Sequence, residues 1–408
     1  MQLADRMAPL QTNVFADMDR AKANAMAAGQ SIIDLSLGSS DLPTAPHVLD
    51  AIAAALYDSS THGYALFHST DPFRRAVATW YEQKFGLPVD PETEVLLLIG
   101  SQEGTAHLPL ALLNPGDFAL LTDPGYPSHA GGVHLASGQI YTMPLLADHG
   151  FLPQFQDISP QVLSQARMMV LSYPHNPTTA QASLEFWQEA VAFCDRNQLV
   201  LVHDFPYGDV TYSGQPAPSV LQADRQKRVS IEFFSMSKSY NMGGFRVGYA
   251  IGNAELITAL RQVKANIDFN QYRGILQGAI AALTGPQDTV HQTVETFRQR
   301  RNTCIAALDR IGWAVPTPTA TQYIWAQLPQ PWTDNSIDFG VQLVEATGVA
   351  VAPGRGFGKA GEGYVRLALV HPVAVLEEAV HRIANFLQVH SPHRIRGKTP
   401  PVKGTVGR

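Results

Sequence analysis

The 408-residue chain is 45% hydrophobic and only 16% charged, against roughly 25% charged in typical soluble domains. Wholesale disorder is therefore excluded, and at about 150 residues per domain two or three domains are expected. Its 29 Lys+Arg against 35 Asp+Glu give a net charge of -6, which argues against a general nucleic-acid-binding protein.

In chain order, residues 32–37 read as a first strand. A helix is predicted over 72–85, with Asp71 as N-cap, Pro72 at its first position, and Phe73, Val77 and Trp80 facing inward. From about 95 to 252, short apolar runs alternate with amphipathic stretches, the pattern of βα units feeding a mostly parallel sheet. Seven strands are predicted, over 94–99, 118–121, 139–143, 168–171, 199–202, 230–234 and 247–251. Between the fifth strand and the one before it, Leu184, Trp187, Val191 and Cys194 mark a helix over 183–197 capped by Ser183. A longer helix over 286–311 is expected to bury Val290, Val294, Phe297, Ile305 and Leu308.

After it the pattern changes to a strand (321–328), a helix (336–347), strands (348–351 and 363–369) and a helix (373–387), a smaller α+β unit. Residues 391–408 carry five Lys/Arg and no acid, and read as a disordered basic tail. The expected division is an N-terminal arm sharing the small domain (1–45), a large domain (46–285), a small C-terminal domain (286–390) and the tail (391–408). Cys194 and Cys304 form neither a disulfide framework nor a metal site. No apolar run approaches the ~18 residues that span a bilayer, and the first ten residues lack a signal-peptide pattern. A cytoplasmic protein is expected.

Ligands of open α/β sheets sit beyond the carboxyl ends of the strands, so the residues after each apolar run carry the chemistry. These are GSQEG at 100–104, DPGYP at 123–127, SYPHNP at 172–177, HDFPY at 203–207 and SMSK at 235–238. Small and hydroxyl residues at a helix start can cradle a phosphate, an acid can hold a ring N–H, and a lysine can form an imine. Of eight lysines, Lys22, Lys84, Lys227 and Lys264 read as lying on polar helical faces, Lys359 in a glycine-rich turn, and Lys398 and Lys403 in the tail. Lys238 differs, following a buried strand with Arg246 eight residues on; desolvation and a nearby cation favour its free amine. The GRGFG run at 354–358 lacks dinucleotide-loop spacing and reads as a turn. The histidines lack metal-ligand spacing, so no metal is expected, and His175 and His203 read as packing residues beside the site.

These strings, with SMSKSYNMGGFRVGYAIGN and YVRLAL, follow one another in an order and spacing that resembles the class I/II, fold-type I pyridoxal 5'-phosphate aminotransferases. The resemblance covers about 33–388 and implies a large domain with a mostly parallel seven-stranded sheet between helices, plus a smaller α+β domain. It implies that Lys238 carries the cofactor and later moves the substrate proton, that Asp204 pairs with the ring N–H, and that Tyr207 and Asn176 bond the ring oxygen. By the same resemblance Tyr126 stacks on the ring, while Ser101, Gln102, Ser235 and Arg246 hold the phosphate. Arg366 would clamp the substrate carboxylate with Asn176 nearby, and Gly38 would let the backbone approach. Tyr64 would reach the phosphate of a second subunit, implying a homodimer with shared active sites. The implied partners are an L-amino acid and a 2-oxo acid, with no nucleic acid and no membrane.

The motifs look closest to glutamate-pyruvate (alanine) and LL-diaminopimelate aminotransferases. A glutamate- or alanine-using enzyme is expected, with LL-diaminopimelate or aspartate as the alternative donor. A fold-type I lyase, of the C–S lyase or aminocyclopropane-carboxylate synthase type, would use the same residues. A cofactor-sensing regulator module would need a DNA-binding domain ahead of the first strand, where only about 30 residues stand. The chain departs from the family pattern at Thr179 and Ser69, where glycine is usual, and at Ser39-Ser40.

Overall fold

A short strand, β1 (Ile33–Asp34), precedes seven strands that form one sheet in the computed structural model, which describes residues 3–11 and 16–390. The expected tail over 391–408 lies outside the described residues. The seven are β2 (Val95–Leu98), β3 (Phe118–Asp123), β4 (Gln139–Pro144), β5 (Ala166–Leu171), β6 (Val200–Asp204), β7 (Ser230–Ser235) and β8 (Gly248–Gly252). Their order is β2-β8-β7-β6-β5-β3-β4. Only β8 runs against its neighbours; every other adjacent pair is parallel. Central strands of such a sheet are covered on both faces, which is why β7 and β8 are buried along their whole length; the edge strand β2 is buried along its length as well.

The helix Leu184–Arg196 starts where Ser183 accepts the Phe186 N–H, and it buries Phe186, Trp187, Ala190 and Cys194. The helix Asp71–Phe85 begins one residue earlier than its sequence pattern predicts. Thr70 holds the cap position without a side-chain bond, while Asp71, inside the first turn, accepts from Arg75 at 2.9 Å. The long helix spans Asp288–Arg310, but its buried face is rotated from the expected one. Val294 and Ile305 are half-buried, and Thr293 and Arg300 are buried instead. Both have partners that no helical wheel shows: Thr293 accepts from Asn241 at 2.9 Å, and Arg300 grips Asp41 with two bonds of 2.6 and 2.8 Å.

The smaller unit contains β9 (Tyr323–Gln327), β10 (Val349–Ala350), β11 (Ala352–Pro353) and β12 (Tyr364–Ala368). The single strand expected over 348–351 gives way to two short ones with different partners. β10 pairs in parallel with β1, and β11 joins an antiparallel sheet of order β11-β12-β9. One apolar run thus feeds two sheets, a change of partner that side-chain hydrophobicity does not encode. Ile33 and Leu35 of the N-terminal segment share an apolar cluster with Phe297, Phe339 and Leu367, whereas Trp80, Trp187 and Phe205 belong to the cluster on the large sheet.

Two lysines expected on polar helical faces are enclosed. Lys264 is fully buried, donating to Glu103 at 2.8 and 2.9 Å and to Asp268 at 3.3 Å. His107 joins this group, so Glu103, His107 and Asp268 bring three ligand-type atoms within 4.8 Å of one another, with the Lys264 ammonium supplying the positive charge. Lys84 pairs with Asp209 and lies 4.4 Å from the centre of the Trp80 ring. Burial pushes the pKa of its ammonium down to about 7. Lys22 and Lys227 are half-buried in ion pairs. Asp268 and Asp19 are helical neighbours of Lys264 and Lys22, but Glu103, Asp209, Asp34 and Glu94 come from other parts of the chain, beyond the reach of local periodicity.

Removing one partner of a buried pair leaves the other charge uncompensated, at a cost of about 3–5 kcal/mol. Lys264→Met is therefore expected to lower the thermal unfolding midpoint sharply, and adding Glu103→Gln should restore part of the loss. An unchanged midpoint in the single variant would remove Lys264 as a structural counter-ion.

Candidate active site

Parallel strands deliver their carboxyl ends to one edge of the sheet, and the residues that follow them converge there. After β2, Gly100 takes φ 74°, and the helix Ser101–Leu112 starts directly behind it. After β7, the Ser235 hydroxyl accepts the Ser237 N–H at 3.2 Å, starting the short turn that carries Lys238. Asp204 ends β6, Tyr126 follows β3 and Asn176 follows β5. Because β8 is antiparallel, its beginning lies at this same edge, which brings in Arg246 just ahead of Gly248. Arg366 arrives from the other sheet, in the middle of β12.

Together they line a cavity of about 420 Å³. Gly38, Ser101, Gln102, Tyr126, Asn176 and Asp204 line it, as do Tyr207, Ser235, Lys238, Arg246 and Arg366. Tyr64 is the one expected site residue outside that lining, and it is 90% exposed.

Asp204 is 6% exposed, and its Oδ2 accepts from His129 Nε2 at 3.0 Å while Oδ1 is buried without a partner. His129 is itself buried and stands three residues after Tyr126, on the helix Pro127–Leu135 that follows the DPGYP segment. Arg366 donates to Asn176 Oδ1 at 2.7 Å and to the Ser36 carbonyl at 2.6 Å, and its Nε is buried with no partner. Lys238 Nζ and Gln322 both donate to the Gly38 carbonyl, the latter at 2.6 Å. Burial pulls the Lys238 pKa below its ordinary value; the Tyr323 hydroxyl opposes this, and Arg366 and Arg246 reinforce it.

Gln322 and Tyr323 were not anticipated as site residues, since they fall inside a predicted strand rather than after one. The Tyr323 hydroxyl lies 2.8 Å from that of Tyr207, and the Arg366 guanidinium lies 4.2 Å from the Tyr323 ring centre. Burial raises the Tyr207 hydroxyl well above its usual range. Burial acts on Tyr323 too, but the charges of Arg366 and Lys238 outweigh it and hold Tyr323 below its usual value.

His175 is fully buried against Thr178, and burial pushes it down to about 3, so it is neutral. His203 is locked between Glu232 at 2.8 Å and the Tyr173 carbonyl at 2.9 Å. Neither lines the cavity. The GRGFG run is a 3-10 turn. Thr179 adopts φ 65°, a left-handed conformation that favours glycine and that β-branched residues rarely take.

A family model described as aminotransferase class I and II matches residues 30–383. The chain belongs to that family. It is 42% identical over 386 residues to an LL-diaminopimelate aminotransferase of Dehalococcoides mccartyi, covering 95% of this chain and 99% of that one. It is 41% identical to the protein of the same name from Moorella thermoacetica, with 95% and 99% covered. Among solved structures, a probable N-succinyldiaminopimelate aminotransferase from Thermus thermophilus superposes with a TM-score of 0.87 at 43% identity, covering 91% and 99%. A substrate-bound BacF structure from Bacillus subtilis gives a TM-score of 0.90 at 35% identity, covering 95% and 98%.

The protein is thus an aminotransferase that uses pyridoxal 5'-phosphate. The cavity's donor set fits that cofactor. The free Oδ1 of Asp204 offers an acceptor to a ring N–H. A helix N-terminus with Ser101, Ser235 and Arg246 offers an anion cradle. Gly248 keeps that cradle open, since a Cβ there would press on the Ser101 N and the Gly100 carbonyl carbon.

Gly38 is equally constrained, because a Cβ on it would overlap the Tyr323 hydroxyl. Gly38→Ala must displace either Tyr323 or the segment around residue 38. A misplacement of that size is expected to lower kcat/KM on the order of 100-fold with little change in the thermal midpoint. Near-normal kinetics would show that the segment is not held where the structure has it.

Proposed function

We propose that this aminotransferase moves the amino group of an L-amino acid to a 2-oxo acid through the Lys238 cavity. The observation that carries the reading is the meeting, in one cavity, of a desolvated lysine amine, a buried carboxylate with one free oxygen, and a buried guanidinium with a free N–H. Pyridoxal phosphate supplies, when bound, an electron sink that stores the amino group between two half-reactions. Lys238 Nζ, uncharged more readily than an exposed lysine, holds the cofactor and then carries the proton at the substrate's α-carbon.

Asp204 accepts the ring N–H through Oδ1, oriented by His129 at Oδ2. Asn176 and Tyr207 bond the ring oxygen, and Tyr126 covers the ring face. Ser101, Gln102, Ser235 and Arg246 hold the phosphate. Arg366, fixed by Asn176 and the Ser36 carbonyl, takes the substrate carboxylate in the two-pronged geometry suited to guanidinium, and Gly38 leaves room for the substrate backbone.

The diaminopimelate-named relatives favour LL-diaminopimelate as the amino donor over the glutamate or alanine expectation. The two-domain division is part of the same proposal, supported by the separate apolar clusters and by the pairing of β1 with β10. So is a cytoplasmic location; among the described residues no helix is long and apolar enough to cross a membrane. A homodimer is supported by the large apolar side chains left exposed between residues 49 and 66, Leu49, Leu56, Tyr57 at 92%, Tyr64 at 90% and Leu66.

Borohydride reduction of the holoenzyme should leave the cofactor on Lys238, and Lys238→Ala should abolish turnover. Trapping elsewhere would overturn the site. In a panel of amino donors against 2-oxoglutarate and pyruvate, LL-diaminopimelate is expected to give the highest kcat/KM; a higher value for alanine would reverse the donor assignment.

A shared site makes a separate prediction. Lys238→Ala and Tyr64→Ala subunits, each inactive or weak alone, should regain about a quarter of wild-type turnover when unfolded and refolded together, because half of the mixed dimers' sites are intact. No recovery, in a mixture shown to contain mixed dimers, would place Tyr64 outside the neighbouring site.

A further inference from the structure

We infer that Tyr323 is a positioning residue that acts through Tyr207 to set the proton balance of the bound cofactor, an inference that rests on Tyr207 bonding the cofactor's ring oxygen. Tyr323 sits on β9 and is 2% exposed; Tyr207 is 3% exposed. Their rings meet edge-on at 5.7 Å and their hydroxyls at 2.8 Å. A phenylalanine would keep the ring against Arg366 but lose the hydroxyl, which abuts Gly38 and bonds Tyr207. A buried hydroxyl costs free energy unless bonded, so the bond to Tyr207 is what makes it tolerable there.

Two facing hydroxyls share one proton and leave the other free. Arg366 lies 4.2 Å from the Tyr323 ring centre, and the charges of Arg366 and Lys238 weaken Tyr323's hold on its proton. Tyr207 feels less of this and binds its proton more tightly. Tyr323 is accordingly the better donor and Tyr207 the acceptor, which leaves the Tyr207 proton free for the cavity. Accepting one hydrogen bond strengthens the one a hydroxyl donates. A stronger donor stabilises negative charge on the ring oxygen, and so lowers the pH at which the cofactor's linkage to Lys238 loses its proton.

The visible absorbance of the holoenzyme, titrated against pH, reads this directly. Tyr323→Phe should move the midpoint upward by about half to one pH unit, a three- to tenfold change, the size of one hydrogen bond. Tyr207→Phe should move it further in the same direction. In the double variant the Tyr323 change should add nothing, because its effect runs through Tyr207.

A midpoint that stays put in Tyr323→Phe while shifting in Tyr207→Phe would overturn this inference alone, and so would full additivity in the double variant. No shift in Tyr207→Phe, or wild-type trapping away from Lys238, would instead overturn the reading on which it rests.

Discussion

A desolvated positive charge, that of Arg366, fixes how the two halves of this molecule meet. The guanidinium is carried by the small sheet, yet its partners are Asn176, after β5 of the large sheet, and the Ser36 carbonyl of the N-terminal segment. A buried cation is stable only where hydrogen bonds compensate its lost hydration. Its burial therefore favours the arrangement of the three pieces that brings those acceptors together. The same contact leaves the buried Nε with no partner, so a group that joins the halves also has hydrogen-bonding capacity in reserve. The Asp123 carboxylate at the end of β3, which accepts from the Ala360 N–H at 3.0 Å, anchors the same boundary, while the Arg300–Asp41 pair ties the N-terminal segment to the small unit.

The large sheet was legible because covering it on both faces demands unbroken apolar runs, and because parallel strands end at a common edge. The residue after a run is then a site residue by geometry, which is how Asp204, Ser235 and Lys238 could be named. Arg246 became legible by the opposite rule, since the antiparallel β8 begins where the others end. Tyr323 was hidden because it belongs to a strand of the other sheet and enters the cavity from there, and Gln322, just ahead of that strand, reaches the Gly38 carbonyl beside it. His129 was hidden because one helical histidine among 14 has no local mark of its carboxylate partner.

The enclosed lysines illustrate a different limit. Helical periodicity assigns Lys264 and Lys84 to polar faces, which is a statement about their own helices. Glu103, 161 residues from Lys264, and Asp209, 125 from Lys84, are set opposite them by tertiary packing. At Thr179 the local signal was informative in another way. The family pattern has glycine there, and the backbone takes the left-handed conformation that glycine tolerates best. The Thr179 N–H is nonetheless satisfied by the His175 carbonyl at 2.8 Å, so the turn persists with a less suitable residue.

The charge balance of the cavity ties these features to its chemistry. Lys238, Arg246 and Arg366 face one carboxylate, Asp204, an excess of positive charge that suits a doubly charged phosphate and a substrate carboxylate together. Before those anions arrive, both arginines depress the proton affinity of Lys238, which favours a free amine. Each anion that docks on an arginine cancels part of that field. The lysine nitrogen then becomes more basic at the stage when it must take up a proton. One lysine can thus serve first as nucleophile and later as base without moving to a new environment, because the ligands themselves change the field around it.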